Sequence, residues 1–231
     1  MDRSKSSISL PDLAESSWWE NEFQAQNSDN RMLTFYKHVK ANEKVLLTSS
    51  FGTTSAILLH HLYRLGINQE ITFLDTSFHF RETLAYKQDL EQKFGFAVRV
   101  IGPEPWKNEY IRQDETWKKD PDFCCSVNKV EPLQLARQHA DYWISGLMGW
   151  QNSFRNNLGF LQYKHEILKF HPFIDWTAEE ARTYMRNHQI PLHPLAAKGY
   201  ASVGCTHCTV RGTDRSGRWG GWAKTECGIH R

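Results

Sequence analysis

The fold is first indicated by residues 44–65, which read KVLLTSS at 44–50 and FGTTSAILLHHLYRL at 51–65. The first of these two segments is a short apolar, β-prone run, typical of a buried strand. In the second, apolar side chains recur at 56, 58, 59, 62 and 65, a spacing that predicts a buried helix over 53–65. A strand that leads directly into a helix is the opening half of a βαβ unit, so these residues predict an α/β protein.

The same alternation of strand and helix continues to about residue 150. Three more strands are predicted, ITFLDT at 71–76, AVRVIG at 97–102 and YWISGL at 142–147, and residues 80–94 predict an amphipathic helix. Strands that alternate with helices form a parallel sheet, and right-handed crossovers place helices on both of its faces. The fold class that we expect is therefore α/β, with a doubly wound, mostly parallel sheet.

The pattern changes in the last third of the chain. TAEE at 177–180 is a capping box and predicts a helix that runs to about residue 188. From about residue 204 to the end, the chain is rich in Gly, Arg, Thr, Cys and Trp without periodicity, which predicts a site-forming loop and a mobile C-terminal tail. The division that we predict is an N-terminal extension at 1–30, a ligand-binding α/β domain at 31–204 and a cysteine-bearing loop with the tail at 205–231.

Composition excludes several classes of protein. The 231 residues are 40% hydrophobic and 23% charged, which argues against disorder, collagen and coiled coil. A net charge of +2 gives no global field for nucleic acid, so no nucleic-acid partner is expected. No stretch approaches the roughly 18 apolar residues of a membrane span, and residues 1–30 lack the apolar region of a secretory signal. We therefore expect no membrane association and a cytoplasmic location.

Aromatic residues are unusually frequent, at 13% with nine Trp. Near the N-terminus, Trp18, Trp19 and Phe23 are expected to dock a short helix of an otherwise frayed segment on the core. The aromatic excess is compatible with a core or an interface, so a homo-oligomer is one possibility.

The loop at 49–55, SSFGTTS, combines hydroxyl side chains, one glycine and a helix N-terminus at the carboxyl end of a strand. Such a place attracts anions, because free N–H groups and the helix dipole meet there. Neither a Walker loop nor a GxGxxG fingerprint is present, and an ordinary capped turn explains the segment equally well. At the next strand end, Asp75 could accept a hydrogen bond from a ribose hydroxyl or an adenine amine, or could simply cap a helix.

Five cysteines lie in three places, at 124–125, at 205 and 208, and at 227. Without a secretory signal, clustered cysteines indicate metal or redox chemistry rather than disulfides. Three interpretations are open: four thiolates that bind zinc, a dithiol pair at Cys205 and Cys208, or an iron–sulfur cluster. Spacing alone does not decide between the zinc and iron–sulfur sites.

Cys227 and a nearby group of arginines each have two possible interpretations. Cys227 is either a nucleophile carried by the tail or a spare thiol. RGTDRSGR at 211–218 contains three arginines, which suit phosphate or sulfate because guanidinium groups bind oxyanions in a bidentate manner. A solvated basic loop is the alternative there.

Taken together, these motifs resemble the assimilatory sulfonucleotide reductases, that is, the adenylyl-sulfate and phosphoadenylyl-sulfate reductases. The resemblance runs from about residue 44 to the C-terminus, with several independent motifs in the same order. It implies a sheet of the PP-loop (adenine nucleotide alpha-hydrolase-like) type. The matching segments are SSFGTTS at 49–55, FLDTSFHFRETL at 73–84, CCSVNKVEPL at 124–133, HPLAAKGYASVGCTHCT at 193–209, RSGRW at 215–219 and KTECGIH at 224–230.

The resemblance also implies a cofactor and roles for individual residues. Members with Cys-Cys and Cys-x-x-Cys carry a [4Fe–4S] cluster, and Cys227 stands where the family has its catalytic nucleophile. The implied cluster ligands are Cys124, Cys125, Cys205 and Cys208. The substrate-binding residues that we predict are Ser49, Ser50, Phe51, Gly52, Ser55, Asp75, Lys129, Arg155, Arg215 and Arg218.

The implied activity is the thioredoxin-dependent reduction of adenylyl sulfate to sulfite and AMP in sulfate assimilation. The Cys227 thiolate would attack the sulfur, AMP would leave, and thioredoxin or glutaredoxin would release sulfite from an S-sulfocysteine. The same chemistry on 3′-phosphoadenylyl sulfate is the alternative substrate choice.

The chain departs from the family pattern at two places. GLMGWQN at 146–152 stands where the family usually has Gly-Leu-Arg-Arg-x-Gln-Ser, so Met148 and Gly149 replace two arginines, and Asn128 replaces another common arginine. A PP-loop ATP pyrophosphatase shares the fold, but Phe51 and Thr54 depart from its loop. A zinc-stabilised nucleic-acid-binding module would explain four cysteines but neither Cys227 nor the α/β half.

Overall fold

The structure, a computed structural model, describes residues 13–230, with side chains from residue 19 onward. Residues 1–12, part of the predicted N-terminal extension, lie outside this range, as do Arg231 and the side chain of Trp18. Within the described part of the chain, no helix is long and apolar enough to span a membrane.

A single sheet of six strands forms the centre of the molecule, in the order β3-β2-β1-β4-β6-β5. All neighbouring pairs are parallel except β5 and β6, so the predicted mostly parallel sheet is confirmed. The strands are β1 Val45–Ser49, β2 Ile71–Leu74, β3 Val98–Ile101, β4 Tyr142–Ser145, β5 Leu161–Lys164 and β6 Ile167–Phe170.

Nine α-helices are present in the described residues, joined by short 3-10 turns and one π-helical segment at Ser126–Val130. The first predicted βαβ unit is confirmed, and the capping box predicted at Thr177 and Glu180 caps α9. The helices are α1 Leu13–Ala25, α2 Ser28–His38, α3 Ser55–Arg64, α4 Arg81–Phe94, α5 Pro105–Gln113, α6 Pro121–Cys125, α7 Glu131–Arg137, α8 Ser153–Asn156 and α9 Ala178–Asn187.

The strand order reverses between β1 and β4, and this reversal determines where a ligand can bind. From β1 the chain proceeds outward through β2 to β3, then returns to place β4 on the other side of β1. The connections that leave the carboxyl ends of β1 and β4 therefore diverge and open a crevice, the usual ligand site of such sheets. The Ser/Thr-rich loop at 49–55 lies at this point.

The described part of the N-terminal extension belongs to the core. Phe23 is fully buried on α1, and its ring centroid lies 4.9 Å from that of Phe170. Phe35 on α2 stacks on the same sheet residue, with ring centroids 4.5 Å apart. Arg31 is buried and binds Asp175 through both terminal nitrogens at 2.7 Å. The expectation that Phe23 docks a helix on the core is confirmed.

The β5–β6 hairpin is absent from the sequence prediction. Its turn residues, His165 and Glu166, have φ values of 55° and 60°. Two-residue hairpin turns of this kind normally contain Asn or Gly, which tolerate positive φ. Because neither residue type is present at the turn, the sequence carries no hairpin signal there.

We expect Phe23→Ala to lower the free energy of unfolding by about 3–5 kcal/mol, because it leaves a cavity beneath two aromatic rings. The measurement is urea denaturation followed by circular dichroism. Leu33→Ala is the control, since Leu33 is 48% exposed on α2 and its loss should change stability by less than about 0.5 kcal/mol. Equal losses in the two variants would contradict the packing of α1 described above.

Candidate active site

A cleft of about 1200 Å³ opens at the carboxyl ends of β1 and β4. Its walls come from the 49–55 loop, the segment after β4, the loop before Cys205 and the C-terminal tail. The structure thus brings together residues that are far apart in sequence. The predicted site residues that line the cleft are Ser49, Ser50, Gly52, Ser55, Lys129, Arg155, Cys205, Arg215, Arg218 and Cys227.

Two predicted substrate-binding residues do not line the cleft. The side chain of Phe51 is buried in the core, with its ring 5.4 Å from that of Phe73. Its φ of 47° turns the chain so that the hydroxyl residues on either side can face the cleft. Asp75 accepts a hydrogen bond from the Ser77 N–H at 2.7 Å and so forms a local turn. A contact between Asp75 and a ligand stays a prediction.

The hydroxyl groups of the 49–55 loop hold its backbone in shape. The N–H of Gly52 donates to Ser55 Oγ at 2.7 Å, and the N–H of Phe51 donates to Ser49 Oγ at 3.2 Å. Ser50 Oγ lies 3.3 Å from Ser55 Oγ. The loop is thereby preorganised at the N-terminus of α3, where the helix dipole favours an anion.

Lys129 reaches the cleft from the π-helical segment between α6 and α7. Such single π turns interrupt helices most often at functional sites. The side chain is nearly buried, which disfavours its charge. Electrostatic interaction with the neighbouring cysteines, Cys205 foremost, nevertheless outweighs burial and raises the pKa of Lys129. The lysine therefore stays charged and links the cysteine region to the cleft.

The four cysteines of the predicted cluster approach one another beside this lysine. Cys124 and Cys205 belong to one apolar cluster with Phe78 and Ile111. Burial raises the pKa of Cys124 to about 12, and the charges of Cys125, Cys205 and Cys208 add to the effect. Burial raises the pKa of Cys208 to about 11, again with a contribution from Cys205.

Cys205 differs from the other thiols of this region. Burial opposes its ionisation, but the Lys129 charge, a hydrogen bond with Thr76 and the Arg218 charge together lower its pKa. Thr76 Oγ1 lies 3.4 Å from Cys205 Sγ. Among residues 19–230, no group of three or more His, Cys, Asp or Glu side chains is arranged to hold a metal ion.

Asn128, which replaces a common family arginine, supports the Cys124 backbone. Its amide nitrogen donates to the Cys124 carbonyl at 2.9 Å, and its Oδ1 accepts from Asn108 at 2.6 Å. It is buried and does not line the cleft. In this chain the position therefore serves the cysteine region rather than an anion.

Arg215 and Arg218 lie side by side against Trp219. The Arg218 guanidinium carbon is 4.6 Å from the ring centroid, and that of Arg215 is 5.8 Å away. Each arginine has a buried Nε without a hydrogen-bond partner. Burial, followed by the charge of Arg155, lowers the pKa of Arg215 to about 10. These unpartnered N–H groups are suited to an oxyanion.

The predicted mobile tail is docked in this structure, and Cys227 is half-buried rather than fully exposed. Lys224 forms an ion pair with Asp122 and donates to the Pro121 carbonyl at 3.3 Å. Gly228 follows the nucleophile candidate with a φ of 93°, and a Cβ there would lie 3.3 Å from Val130. Movement of the tail stays a prediction, since the structure gives its docked position.

The end of the tail is held by aromatic and polar contacts. The ring of His230 stacks on Trp143 with centroids 4.9 Å apart and planes 8° apart. The buried Lys169 donates to the His230 carbonyl at 3.5 Å. Ile229 packs on the same apolar cluster as Trp143. Together with the contacts of Lys224, these anchors hold the chain on both sides of Cys227.

Glu226, the residue before Cys227, is not among the site residues predicted from the sequence. It is 1% exposed and forms ion pairs with Arg155 and Arg215. Asn152 donates to the same carboxylate at 2.8 Å. The only sequence signal was its place in KTECGIH, since a lone Glu in a loop has no pattern.

The structure explains how the chain accommodates Met148 and Gly149. Met148 is fully buried in the hydrophobic core. Gly149 is buried as well, and a Cβ at this position would lie 2.9 Å from the Ile174 carbonyl oxygen. No larger side chain fits there without backbone movement, so the backbone at this position could not accommodate an arginine.

The structure is therefore that of an α/β protein in which a thiol on the C-terminal tail lines a cleft together with lysine and arginine side chains. The phosphoadenosine phosphosulfate reductase domain matches residues 44–211, and the chain belongs to this family. The resemblance inferred from the motifs is thereby confirmed.

Curated relatives agree with this assignment. The chain is 36% identical over 197 residues to adenosine 5′-phosphosulfate reductase 2 of Bacillus subtilis, covering 81% of this chain and 84% of the relative. It is 35% identical over 216 residues to adenosine 5′-phosphosulfate reductase of Shouchella clausii, covering 89% of each.

Solved structures show the same fold. Phosphoadenylyl-sulfate (PAPS) reductase from Candida auris, in a phosphate complex, gives a TM-score of 0.76 at 19% identity, covering 88% of this chain and 99% of the other. FMN adenylyltransferase from Candida glabrata gives a TM-score of 0.60 at 15% identity, covering 87% and 67%. These likenesses confirm the predicted PP-loop type of sheet.

We expect Gly204→Ala to weaken sulfate binding in the cleft roughly tenfold, the loss of about one charge-assisted hydrogen bond. A Cβ at Gly204 would collide with the Arg218 guanidinium and displace it, at little cost to folding because that side chain is flexible. Isothermal titration with sodium sulfate measures the affinity. Gly220→Ala is the matched control, because a Cβ there meets nothing within 4 Å. Equal affinities for sulfate in the two variants would show that Arg218 does not contribute to anion binding.

Proposed function

We propose that this chain reduces adenylyl sulfate to sulfite and AMP, with Cys227 as nucleophile and thioredoxin or glutaredoxin as reductant. The observation that carries the proposal is the position of Cys227 at a cleft lined by Lys129, Arg215 and Arg218. The curated relatives quoted above, which share more than 30% identity, are named adenosine 5′-phosphosulfate reductases. A thiol and three cations at one cleft suit the sulfuryl group of a small phosphosulfate anhydride.

The adenylate part of the substrate would bind at the strand ends. Its phosphate would approach the N-terminus of α3 and the 49–55 loop, where the N–H groups and hydroxyls converge. The sulfate would then extend toward Arg215 and Arg218, whose buried Nε groups have no partner. This orientation directs the sulfur toward the tail thiol.

The reaction transfers the sulfo group and then two electrons. The Cys227 thiolate attacks sulfur, an S–S bond forms, and the bond from sulfur to the bridging oxygen breaks to release AMP. A thiolate of the reductant attacks Cys227 Sγ, and the electron pair of the S–S bond leaves with sulfite. A second reductant thiol resolves the mixed disulfide, so the reductant ends as a disulfide and Cys227 as a thiol.

Cations in the cleft would stabilise the charge that develops during the first step. The leaving phosphate gains negative charge as the bond to sulfur breaks, and preorganised donors in a partly buried site bind it more strongly than water does. Lys129 is suited to this task because the nearby thiolates keep it charged despite burial. Arg215 and Arg218 would hold the sulfate oxygens in line with the attacking thiolate.

We also propose that Cys124, Cys125, Cys205 and Cys208 hold a [4Fe–4S] cluster. The donor chemistry fits, since thiolates are the ligands that iron–sulfur clusters require and Cys124 interacts electrostatically with the other three cysteines. Cys124, Cys125 and Cys205 are buried, and Cys208 is half-buried. When bound, the cluster would supply a fixed negative charge that orients Lys129 toward the cleft. Iron would hold the cysteines as thiolates, including Cys124 and Cys208, whose pKa values burial raises in its absence.

The division of the chain and its location in the cell are proposals of the same kind. Residues 31–204 would form the sulfonucleotide-binding domain, and 205–231 the cluster loop and catalytic tail. A cytoplasmic location fits a reaction that depends on reduced thiols, because the cytosol maintains reduced thioredoxin and glutathione. The oligomeric state stays a prediction.

We expect the purified enzyme with thioredoxin to release sulfite from adenylyl sulfate with a higher kcat/KM than from 3′-phosphoadenylyl sulfate. The measurement is sulfite production with each substrate at equal concentrations. Cys227→Ser should release none and still bind AMP, because the cleft remains while the nucleophile is lost. Turnover in Cys227→Ser would exclude the nucleophile, and a preference for the 3′-phosphorylated substrate would select the alternative.

A separate prediction concerns the iron–sulfur cluster. Anaerobically purified protein should be brown and contain about four iron and four sulfide per chain. Cys208→Ser should lose most of the iron, whereas Cys227→Ser should retain it, because only the first removes a ligand. Iron and sulfide analysis with absorption spectroscopy measures both. A colourless protein that contains zinc would contradict the iron–sulfur assignment.

A further inference from the structure

We propose that Arg155 and Glu226 are a pair that positions the nucleophile, with Arg155 acting on the tail rather than on the substrate. The inference rests on the proposed function, since it concerns the Cys227 that would attack the sulfonucleotide. It revises the prediction that Arg155 binds substrate, and it gives a role to Glu226, which the motif analysis left without one.

The geometry of the pair is specific. Arg155 Nε and Nη2 both donate to the Glu226 carboxylate, the second at 3.1 Å. Nη1 of the same guanidinium donates to Gln151, which in turn donates to Thr54 Oγ1 at 3.2 Å. The donors of Arg155 are thus engaged by protein while the tail is docked. Bidentate pairing of this kind fixes orientation as well as distance.

Arg215 and Arg218 contrast with Arg155. Their buried Nε groups have no partner, and the Arg215 contact with Glu226 is longer, at 3.5 Å. These two arginines therefore retain capacity for an incoming oxyanion, whereas Arg155 has little. Arg215 also contacts the tail, since it donates to the Thr225 carbonyl at 3.3 Å, but it reaches Glu226 through one nitrogen whereas Arg155 uses two.

A carboxylate in this place also suits the charge of the occupied site. The cations that line the cleft are Lys129, Arg155, Arg182, Arg186, Arg211, Arg215 and Arg218. A phosphosulfate would bring two negative charges to this positive site, and Glu226 adds one from the residue next to Cys227. The carboxylate therefore offsets part of the positive charge that the tail and the substrate meet in the cleft.

The link from Glu226 to Cys227 is one peptide bond, so the position of the carboxylate restricts the thiol. Asn152 strengthens the restriction by donating to the Thr225 carbonyl at 3.2 Å as well as to Glu226. Reacting atoms must meet at close range and in line, and small misplacements lower rates strongly. Loss of the carboxylate should therefore affect the sulfo-transfer step rather than nucleotide binding.

The test compares Glu226→Gln with the wild-type holoenzyme. We expect the rate constant for S-sulfocysteine formation with adenylyl sulfate, measured in a single turnover without reductant, to fall roughly ten- to hundredfold. The affinity for AMP should not change, and alkylation of Cys227 by iodoacetamide, followed by mass spectrometry, should become several-fold faster. Glu70→Gln is the matched control, because Glu70 pairs with Arg99 on the surface and both are about half exposed.

Further variants distinguish positioning from a general structural defect. Arg155→Gln should give the same slow transfer and fast alkylation, and the double variant should be no worse than either, because the two residues act as one unit. Glu226→Asp should recover part of the rate. Additive losses in the double variant, or weaker AMP binding in Arg155→Gln, would overturn the inference and return Arg155 to the substrate.

The inference and the proposed function can fail separately. If the wild type forms no S-sulfocysteine, the proposed function fails while alkylation still reports on the tail. If the wild type reacts but Glu226→Gln matches it in rate and in alkylation, the positioning pair is wrong and the reaction stands.

Discussion

Compensation of buried positive charge is the constraint on which the organisation of the site depends. Lys129, Arg155, Arg215 and Arg218 are each at least four-fifths shielded from solvent at one edge of the sheet. Charged groups removed from water must be paired or must meet a ligand of opposite sign. Cys205, whose pKa Lys129 lowers, and the carboxylate of Glu226 provide part of that compensation from the chain itself. Arg215 and Arg218 each keep a buried Nε without a partner, and the anion site that we propose lies there.

The sheet explains why these charges meet. Reversal of strand order at β1 and β4 creates the crevice, and the loops that leave it carry the hydroxyl residues and Arg155. The cysteine region enters from the other side through an isolated antiparallel bridge between His79 and Cys205. A single backbone pairing thus ties the segment after β2 to the loop that bears Cys205. The tail completes the arrangement by docking across the same edge, so one topological feature organises four separate segments.

Much of the fold could be predicted from the sequence, because apolar strands and helices with regular spacing carry strong signals. The strands at 44–50 and 71–76 and the capped helix after Thr177 are examples. The hairpin at His165 and Glu166 could not be predicted, since its positive φ angles occur at residues that give no turn signal. At the site, the thiols and arginines could be found from residue type and motif. The role of Glu226 could not, because its partner Arg155 is distant in sequence and is brought to it only by the fold.

The arginines missing from 148–149 have a steric explanation in this structure. Met148 joins the core, Gly149 packs against the Ile174 carbonyl, and neither residue lines the cleft. The cation that the segment after β4 brings to the cleft is Arg155, and Glu226 engages it through two of its nitrogens. An incoming anion would therefore meet the unpartnered Nε groups of Arg215 and Arg218 on the C-terminal segment rather than donors that follow β4.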